Sequence, residues 1–382
     1  MAKTFYVIDG HWQIFRAYYA RFGDLTSPAG EPTKATYVFT TMLLKLIGDR
    51  APDYLAVALD GPREQLVRTE LYPQYKATRA AAPEDMGPQI ERIVQILRAM
   101  GVPVLQAPGA EADDIMATIV SKLALADVRV LLVSRDKDLE QLIGPGAALY
   151  DPVRDEEIDA ARLVELKGYP PEKAVEVQTL CGDSTDNVPG IPGVGPKTAV
   201  KLIGLYGSAE GVLAHAEELT PKLRQNVTAN AESMELTRKL VTLDGDVDMQ
   251  VDLEAMAFRG IQADRVRPIF VELGFKRLVD QIDAAAGPRA PGDEAPAAPG
   301  GMTTAKDFDY RCIDTPEGLD RLVAELAGVS RLAVDTETTS VRPMWAELVG
   351  ISLAWEPGRA VYLPLAAPLG QKTLSRERVI ER

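Results

Sequence analysis

Phe5-Tyr6-Val7-Ile8-Asp9-Gly10 is the stretch on which the reading of this chain turns. Four aromatic or β-branched residues run straight into an aspartate, so a short buried strand ends on a carboxylate. The pattern returns twice. Leu55-Ala56-Val57-Ala58-Leu59 leads into Asp60, and Val130-Leu131-Leu132-Val133-Ser134-Arg135 leads into Asp136 and Asp138. Between these runs lie apolar residues at helical spacing, such as Ile90, Ile93, Val94 and Leu97. Strands separated by helices predict a mainly parallel α/β sheet. In open sheets of this kind ligands bind beyond the carboxyl ends of the strands, so three strands would bring three or more acids to one rim. Taken singly, each aspartate also suits a turn or a helix N-cap.

Two further segments add acids. Gly109-Ala110-Glu111-Ala112-Asp113-Asp114 opens a predicted helix over Ile115–Ala124, where acids in the first turn would also meet the helix dipole. Gly182-Asp183-Ser184-Thr185-Asp186-Asn187 places Asp183 and Asp186 one turn apart if that segment is helical. Asp9, Asp60, Glu111, Asp113, Asp114, Asp136, Asp138, Asp183 and Asp186 make nine acids, and converging they could not all ionise without cations. The 382 residues include 42 Lys and Arg against 56 Asp and Glu, a net charge of −14. The only histidines are His11 and His215, and the only cysteines are Cys181 and Cys312. That excludes a disulfide scaffold and a Cys or His zinc centre, and it argues against a Ser-His-Asp triad. Carboxylates without nitrogen or sulfur ligands indicate two or more Mg²⁺ or Mn²⁺ ions, a set suited to two-metal phosphodiester hydrolysis.

Val188-Pro189-Gly190-Ile191-Pro192-Gly193-Val194-Gly195-Pro196-Lys197-Thr198-Ala199 follows at once. Gly193 and Gly195 would let backbone amides approach a phosphate, with the next helix N-terminus favouring the anion. Lys197 and Lys201 add charge without base selectivity. The plain alternative is a glycine-rich connection between two helices.

Residues 284–301 contain 15 Ala, Gly or Pro among 18, a composition that predicts a flexible linker. The expected organisation is an α/β core over 1–170, a helical region over 171–283, the linker over 284–301, and a second piece over 302–382 that restarts with strands. No apolar run reaches the roughly 18 residues of a membrane span. The N-terminus enters a strand directly, so no signal peptide is expected and the cytoplasm is the expected location.

Across Met1 to about Ile282 these strings are familiar. Val7-Ile8-Asp9-Gly10, Gly109 to Asp114, Asp136-Lys137-Asp138-Leu139 and Gly182 to Gly190 resemble, in order and spacing, the 5′-nuclease domain of bacterial DNA polymerases I, within the flap endonuclease family. The resemblance implies that Asp9, Asp60, Glu111 and Asp113 surround a first metal. Asp136, Asp138, Asp183 and Asp186 would surround a second, with Asp113 or Asp114 between. It implies that Arg16 lies near the scissile phosphate. Tyr75, Lys76 and Arg79 would belong to a helical arch that admits a 5′ single strand by stacking and phosphate contact. The hairpin of Gly193, Gly195, Lys197, Thr198 and Lys201 would grip duplex DNA, with a monovalent cation at its carbonyls. Three departures stand out: Asp60 to Arg68 is one residue longer than usual, Arg135 replaces a small residue, and Ala80-Ala81-Ala82 stands where prolines are frequent.

The second piece resembles the start of a 3′–5′ exonuclease domain through Val334-Asp335-Thr336-Glu337-Thr338, whose acids would share one strand face. Asp335 and Glu337 form an incomplete site, because the later acidic motifs and a polymerase segment do not occur in this chain. The chain therefore reads as part of a longer protein, and the second piece as an incomplete α/β domain with exposed apolar residues such as Leu353 and Trp355. The expected function is a divalent-metal-dependent 5′–3′ exonuclease and flap endonuclease acting on DNA 5′ ends, flaps and annealed RNA primers, as a monomer without membrane association. A DNA junction-binding module without catalysis is the alternative. Loss of several acids would favour it, and all nine are present.

Overall fold

The computed structural model describes residues 3–62, 65–79, 81–124, 126–286, 309–338, 347–356, 358–366 and 373–381. The chain forms two compact units, Met1–Asp293 and Glu294–Arg382. Ala80 and residues 287–301 of the expected linker lie outside the described residues.

The first unit begins with β1 (Lys3–Asp9), α1 (Gly10–Tyr18), α2 (Lys34–Arg50), β2 (Tyr54–Ala58), α3 (Val67–Leu71), α4 (Met86–Met100) and β3 (Val104–Leu105). It continues through α5 (Ala112–Leu123), β4 (Val128–Val133), β5 (Ala147–Asp151), β6 (Glu156–Ile158), α6 (Ala160–Lys167), α7 (Ala174–Cys181) and α8 (Pro196–Tyr206). The six strands lie in the order β3-β2-β1-β4-β5-β6. All neighbours are parallel except β5 and β6, which form an antiparallel hairpin. The chain thus builds outward from β1 in one direction, returns, and builds in the other. Its switch point lies between β1 and β4, where open sheets place their ligands.

The apolar run of β1 has a direct cause. Tyr6 and Ile8 join a core with Ile14, Phe39, Leu43, Ile93 and Leu97 on one face of the sheet. Phe5 and Val7 join a second core with Ile115, Met116 and Ile119 on the other. A strand covered on both faces cannot alternate apolar with polar residues. Phe5 and Ile8 are fully buried, and side chains of this size each contribute about 1.5–3 kcal/mol by leaving water.

Beyond α8 the unit is helical, through Ala209–Ala214, Pro221–Ala229, Ala231–Val241, Ala263–Glu272 and Lys276–Ala286. Val177, Leu180, Val194, Leu202, Val212 and Val227 build a separate core for this region. The last two helices do not stay with it. Val266, Phe270, Leu278 and Ile282 return to the sheet core beside Phe39 and Ile93, so the end of the expected helical region packs with the α/β layer. The final helix also runs three residues into the expected linker.

Two local expectations change. Among the described residues between β2 and α4, Val67–Leu71 is the one α-helix, and the expected arch residues Tyr75 and Lys76 lie in turns. Asp183 and Asp186 are not on a helix. α7 ends at Cys181, and Asp183 and Val188 exchange backbone hydrogen bonds of 3.0 and 2.7 Å across a tight turn. Gly182 has φ +64°, and a Cβ on Gly190 would lie 2.2 Å from the Cys181 carbonyl oxygen. Only glycines let the two ends of this loop meet so closely.

In the second unit β7 (Asp309–Cys312), β8 (Ala333–Thr338), β9 (Leu348–Glu356) and β10 (Arg359–Pro364) form a sheet in the order β7-β10-β9-β8. Leu319, Leu322, Val361 and Leu363 are its buried core. Leu353 and Trp355, expected to be exposed, are half-buried against that core. Val334, on the edge strand β8, is exposed, as are Tyr310, Leu332 and Ile380.

Candidate metal centre

The strand ends do converge. Asp9, the last residue of β1, accepts the Trp12 backbone N–H at 3.1 Å and so caps α1. Its other oxygen accepts the Ser134 hydroxyl at 2.9 Å, and Ser134 Oγ in turn accepts the Asp136 N–H at 3.1 Å. Asp136 accepts the Asp138 N–H at 3.0 Å, which fixes the turn after β4. Asp60, beyond β2, accepts the Ala112 N–H at 2.8 Å, while its own N–H donates to His11 Nδ1 at 3.1 Å. Capping and site-building are therefore the same interactions, because each cap holds one carboxylate face toward the rim. Ser134 and His11 were missed in the sequence; only their closeness to Asp136 and Asp9 could have flagged them.

Asp9, Asp60, Asp113, Asp136 and Asp186 share a cavity of about 620 Å³ with Arg16, Lys76 and Arg79. Beside it, carboxylate oxygens of Asp138, Asp183 and Asp186 lie within 4.8 Å of one another. Gln178 Nε2 donates to Asp138 at 2.6 Å, and Lys137 Nζ lies 3.2 Å from Asp183.

This crowding shows in the acidities. Burial, together with repulsion from Asp60 and Asp136, pushes Asp9 up to about 7 against the opposing bonds from Trp12 and Ser134. Burial and the charges of Asp136, Asp183 and Asp186 push Asp138 up to about 7. Asp113 is raised well above the ordinary range by burial and by Asp9, Asp136, Asp138 and Asp60. Asp136 is raised by burial and by Asp186 and Asp183. Without positive charge the folded state resists full ionisation of this group. An all-oxygen donor set with raised acidities fits hard divalent cations.

Four expected ligands or substrate contacts are bound to partners within the protein, although Arg79 keeps its place in the cavity. Asp114 points away from the rim. It takes Arg68 at 2.5 and 2.8 Å and the Asp244 N–H at 2.9 Å, and forms a reciprocal capping box with Glu111. Burial raises its carboxyl, but Arg68 overcomes this and holds it below the usual range. Glu111 accepts Arg68 at 3.0 Å, the Tyr75 hydroxyl at 3.0 Å and Lys76. Tyr75 is 4% exposed, so it offers no stacking face; its hydroxyl also reaches Asp186 at 3.3 Å. Arg79 Nε donates to Asp186 at 3.0 Å. Arg68, with a side chain only 10% exposed, is the main residue that the sequence did not reveal.

At the hairpin, Gly193, Gly195, Lys197 and Lys201 are exposed and Thr198 is half-buried. Gly195 precedes Pro196, which occupies the first turn of α8, where its missing N–H costs nothing. Asp335 and Glu337 lie two residues apart on β8, both exposed, opposite Ser352 and Gly350 of β9.

Comparison with known proteins places this geometry. Residues 4–168 match the 5′–3′ exonuclease N-terminal resolvase-like domain, residues 169–264 the 5′–3′ exonuclease C-terminal SAM fold, and residues 310–379 a 3′–5′ exonuclease domain. The 5′–3′ exonuclease of Aquifex aeolicus is 36% identical, over 74% of this chain and 96% of its own length. DNA polymerase I of Rhizobium leguminosarum is 33% identical over 94% of this chain, but the match spans only 43% of that polymerase. T5 5′-exonuclease bound to divalent metal ions (zinc) has a TM-score of 0.54 at 21% identity, covering 71% of this chain and all of that one. The catalytic core of Rad2 in complex with DNA substrate has 0.52 at 16%, covering 75% and 93%. These two share the fold. The chain belongs to the 5′–3′ exonuclease family, whose members are nucleases. Among the described residues no helix is long and apolar enough to cross a membrane.

Proposed function

We propose that this chain is a structure-specific 5′ nuclease that hydrolyses phosphodiesters at DNA 5′ ends and at the base of 5′ flaps, including RNA primers annealed to DNA. The observation that carries it is the single rim formed by Asp9, Asp60, Asp113 and Asp136 beside the Asp138, Asp183 and Asp186 cluster. Asp9, Asp60, Asp113 and Asp136 would hold one divalent ion, and Asp138, Asp183 and Asp186 a second, Mg²⁺ or Mn²⁺ in each case. Asp114 and Glu111 are left out of this set because Arg68 occupies both, with Lys76 also on Glu111. Bound ions supply an acidified water as nucleophile and steady the developing charge on phosphate.

The chain's own residues do the rest. Arg16, Lys76 and Arg79 line the same cavity and orient the phosphate there. The exposed backbone of Gly193 and Gly195, with Lys197, Thr198 and Lys201, holds duplex phosphates without reading sequence, and a monovalent cation at its carbonyls would complete the grip. The protein would act as a cytoplasmic monomer in primer removal and excision repair. The test is cleavage of a 5′-labelled flap duplex with and without Mg²⁺ or Mn²⁺, run beside Asp113→Asn and Asp186→Asn. Cleavage should require the metal and fall by orders of magnitude in both variants, while flap binding in Ca²⁺ survives. Near-wild-type turnover of both variants would sink the assignment.

A further inference from the structure

The cation before Asp136 has a place in the fold. Arg135 leaves the end of β4 and reaches Asp151, the last residue of β5, with Nη1 3.2 Å from its carboxylate. Asp151 is another strand-end acid on the same rim, yet it is 2% exposed and turned to arginines rather than to the acid cluster. Arg154, in the turn between β5 and β6, approaches the same oxygen at 4.0 Å. From the other side comes Arg16. Gln13 Nε2 donates to the Val133 carbonyl at 3.1 Å, two residues before Arg135, and Gln13 Oε1 accepts Arg16 Nη1 at 3.3 Å. Arg16 is held by Gln13 and the face of Trp12 and has no carboxylate at ion-pair distance among the described residues. Burial lowers its pKa, and Asp151 and Arg135 are the charges that it feels. Guanidiniums from the β4 end and the β5–β6 turn therefore approach one buried carboxylate, with Arg16 of α1 within reach of its charge, a local excess of two positive charges on a chain of net −14. Each guanidinium carries five donors, and one shared carboxylate leaves most of them available. Arginine forks of this kind suit phosphate oxygens.

We propose that Arg135 and Arg154, together with Arg16, form a phosphate subsite on the β5 side of the acid rim, positioned by Asp151, that binds a phosphate of the strand being cut. The identity of that strand rests on the nuclease reading above. The phosphate is either the 5′-terminal monoester or an internal diester.

The experiment is fluorescence anisotropy of 5′-flap duplexes in Ca²⁺ over a range of KCl, using wild type, Arg135→Gln, Arg135→Lys and Arg154→Gln, with thermal melts alongside. Arg135→Gln should weaken binding about tenfold and flatten the plot of log affinity against log salt by about 0.7–0.9, the loss of one phosphate contact. Arg135→Lys should keep most of that slope. Arg154 is exposed, so Arg154→Gln reads the subsite even if Arg135→Gln destabilises the fold, and a purely structural role would lower melting without moving the slope. Flaps ending in phosphate or in hydroxyl separate the sources. A wild-type preference for phosphate that Arg135→Gln erases assigns the terminal monoester, and equal losses on both assign an internal diester. Wild-type slopes in both Gln variants on every DNA would overturn the subsite. If the slope falls but no DNA is cut in Mg²⁺ or Mn²⁺, the subsite stands and the nuclease reading fails.

Discussion

Removing one charge from the rim should make the metal-free protein more stable at alkaline pH. Asp9 is 5% exposed and titrates near 7, against an ordinary value of 3.8. A carboxyl raised in the folded state binds its proton more tightly there than in the unfolded chain. Its stabilisation is therefore complete below pH 3.8 and is lost as pH rises through about 7. The gap of about 3 units sets a ceiling of roughly 4 kcal/mol. The acids titrate as a group, so one residue accounts for only part of this, about 2 kcal/mol. Asp9→Asn retains an oxygen for the Trp12 N–H and removes the charge. In EDTA at about pH 8.5 the variant should melt about 4–8 °C above wild type, and the difference should close toward pH 4. Mn²⁺ should then raise wild type more than the variant, because cations relieve the same repulsion. The assay is a melting series by circular dichroism from pH 4 to 9. Parallel wild-type and variant curves in EDTA would refute the argument that burial and neighbouring acids strain this site.

Three further outcomes follow from particular contacts. Arg68→Met strands Asp114 and Glu111 in a buried site and should cost about 3–5 kcal/mol in urea unfolding; a loss below about 1 kcal/mol would mean that water reaches these carboxylates. Lys76→Ala with Arg79→Ala should reduce cleavage of single-stranded flaps more than binding of plain duplex, whereas equal losses in a titration would make both residues general phosphate contacts. The unsubstituted chain should leave a recessed 3′ end untouched, because two exposed carboxylates on an edge strand hold a metal weakly; Mg²⁺-dependent shortening from the 3′ end that Asp335→Ala abolishes would reverse this.

The strands, their parallel pairing and the aspartates at their ends could be read from sequence because one physical pattern, an apolar run stopped by an acid, reports all three. The choice between Asp113 and Asp114 could not. Adjacent helical positions point about 100° apart, and only the position of Arg68 shows which one faces the rim. Tyr75 misleads for a similar reason: an aromatic between cations suits stacking, yet its depth is set by Glu111 and Asp186, 36 and 111 positions away. The Asp183–Asp186 spacing suggested a helix, but the close approach of Gly182 to Gly190 makes a turn. The return of Phe270 to the sheet core is a long-range packing event with no local mark.

The order of the strands has a consequence for how the enzyme comes into being. Asp9 leaves the ribosome well before its companions Asp183 and Asp186, which follow only after some 175 residues, beyond the junction of the two matched family segments at 168 and 169. That junction divides the carboxylate set, so neither segment alone owns the rim. A nascent chain can lay down β1, β2 and β4 in order and still lack the Asp183 and Asp186 carboxylates of the proposed site until α7 and the turn behind it have emerged. On the proposed assignment, vectorial synthesis delays a cutting activity until the segment that would hold duplex is also being made.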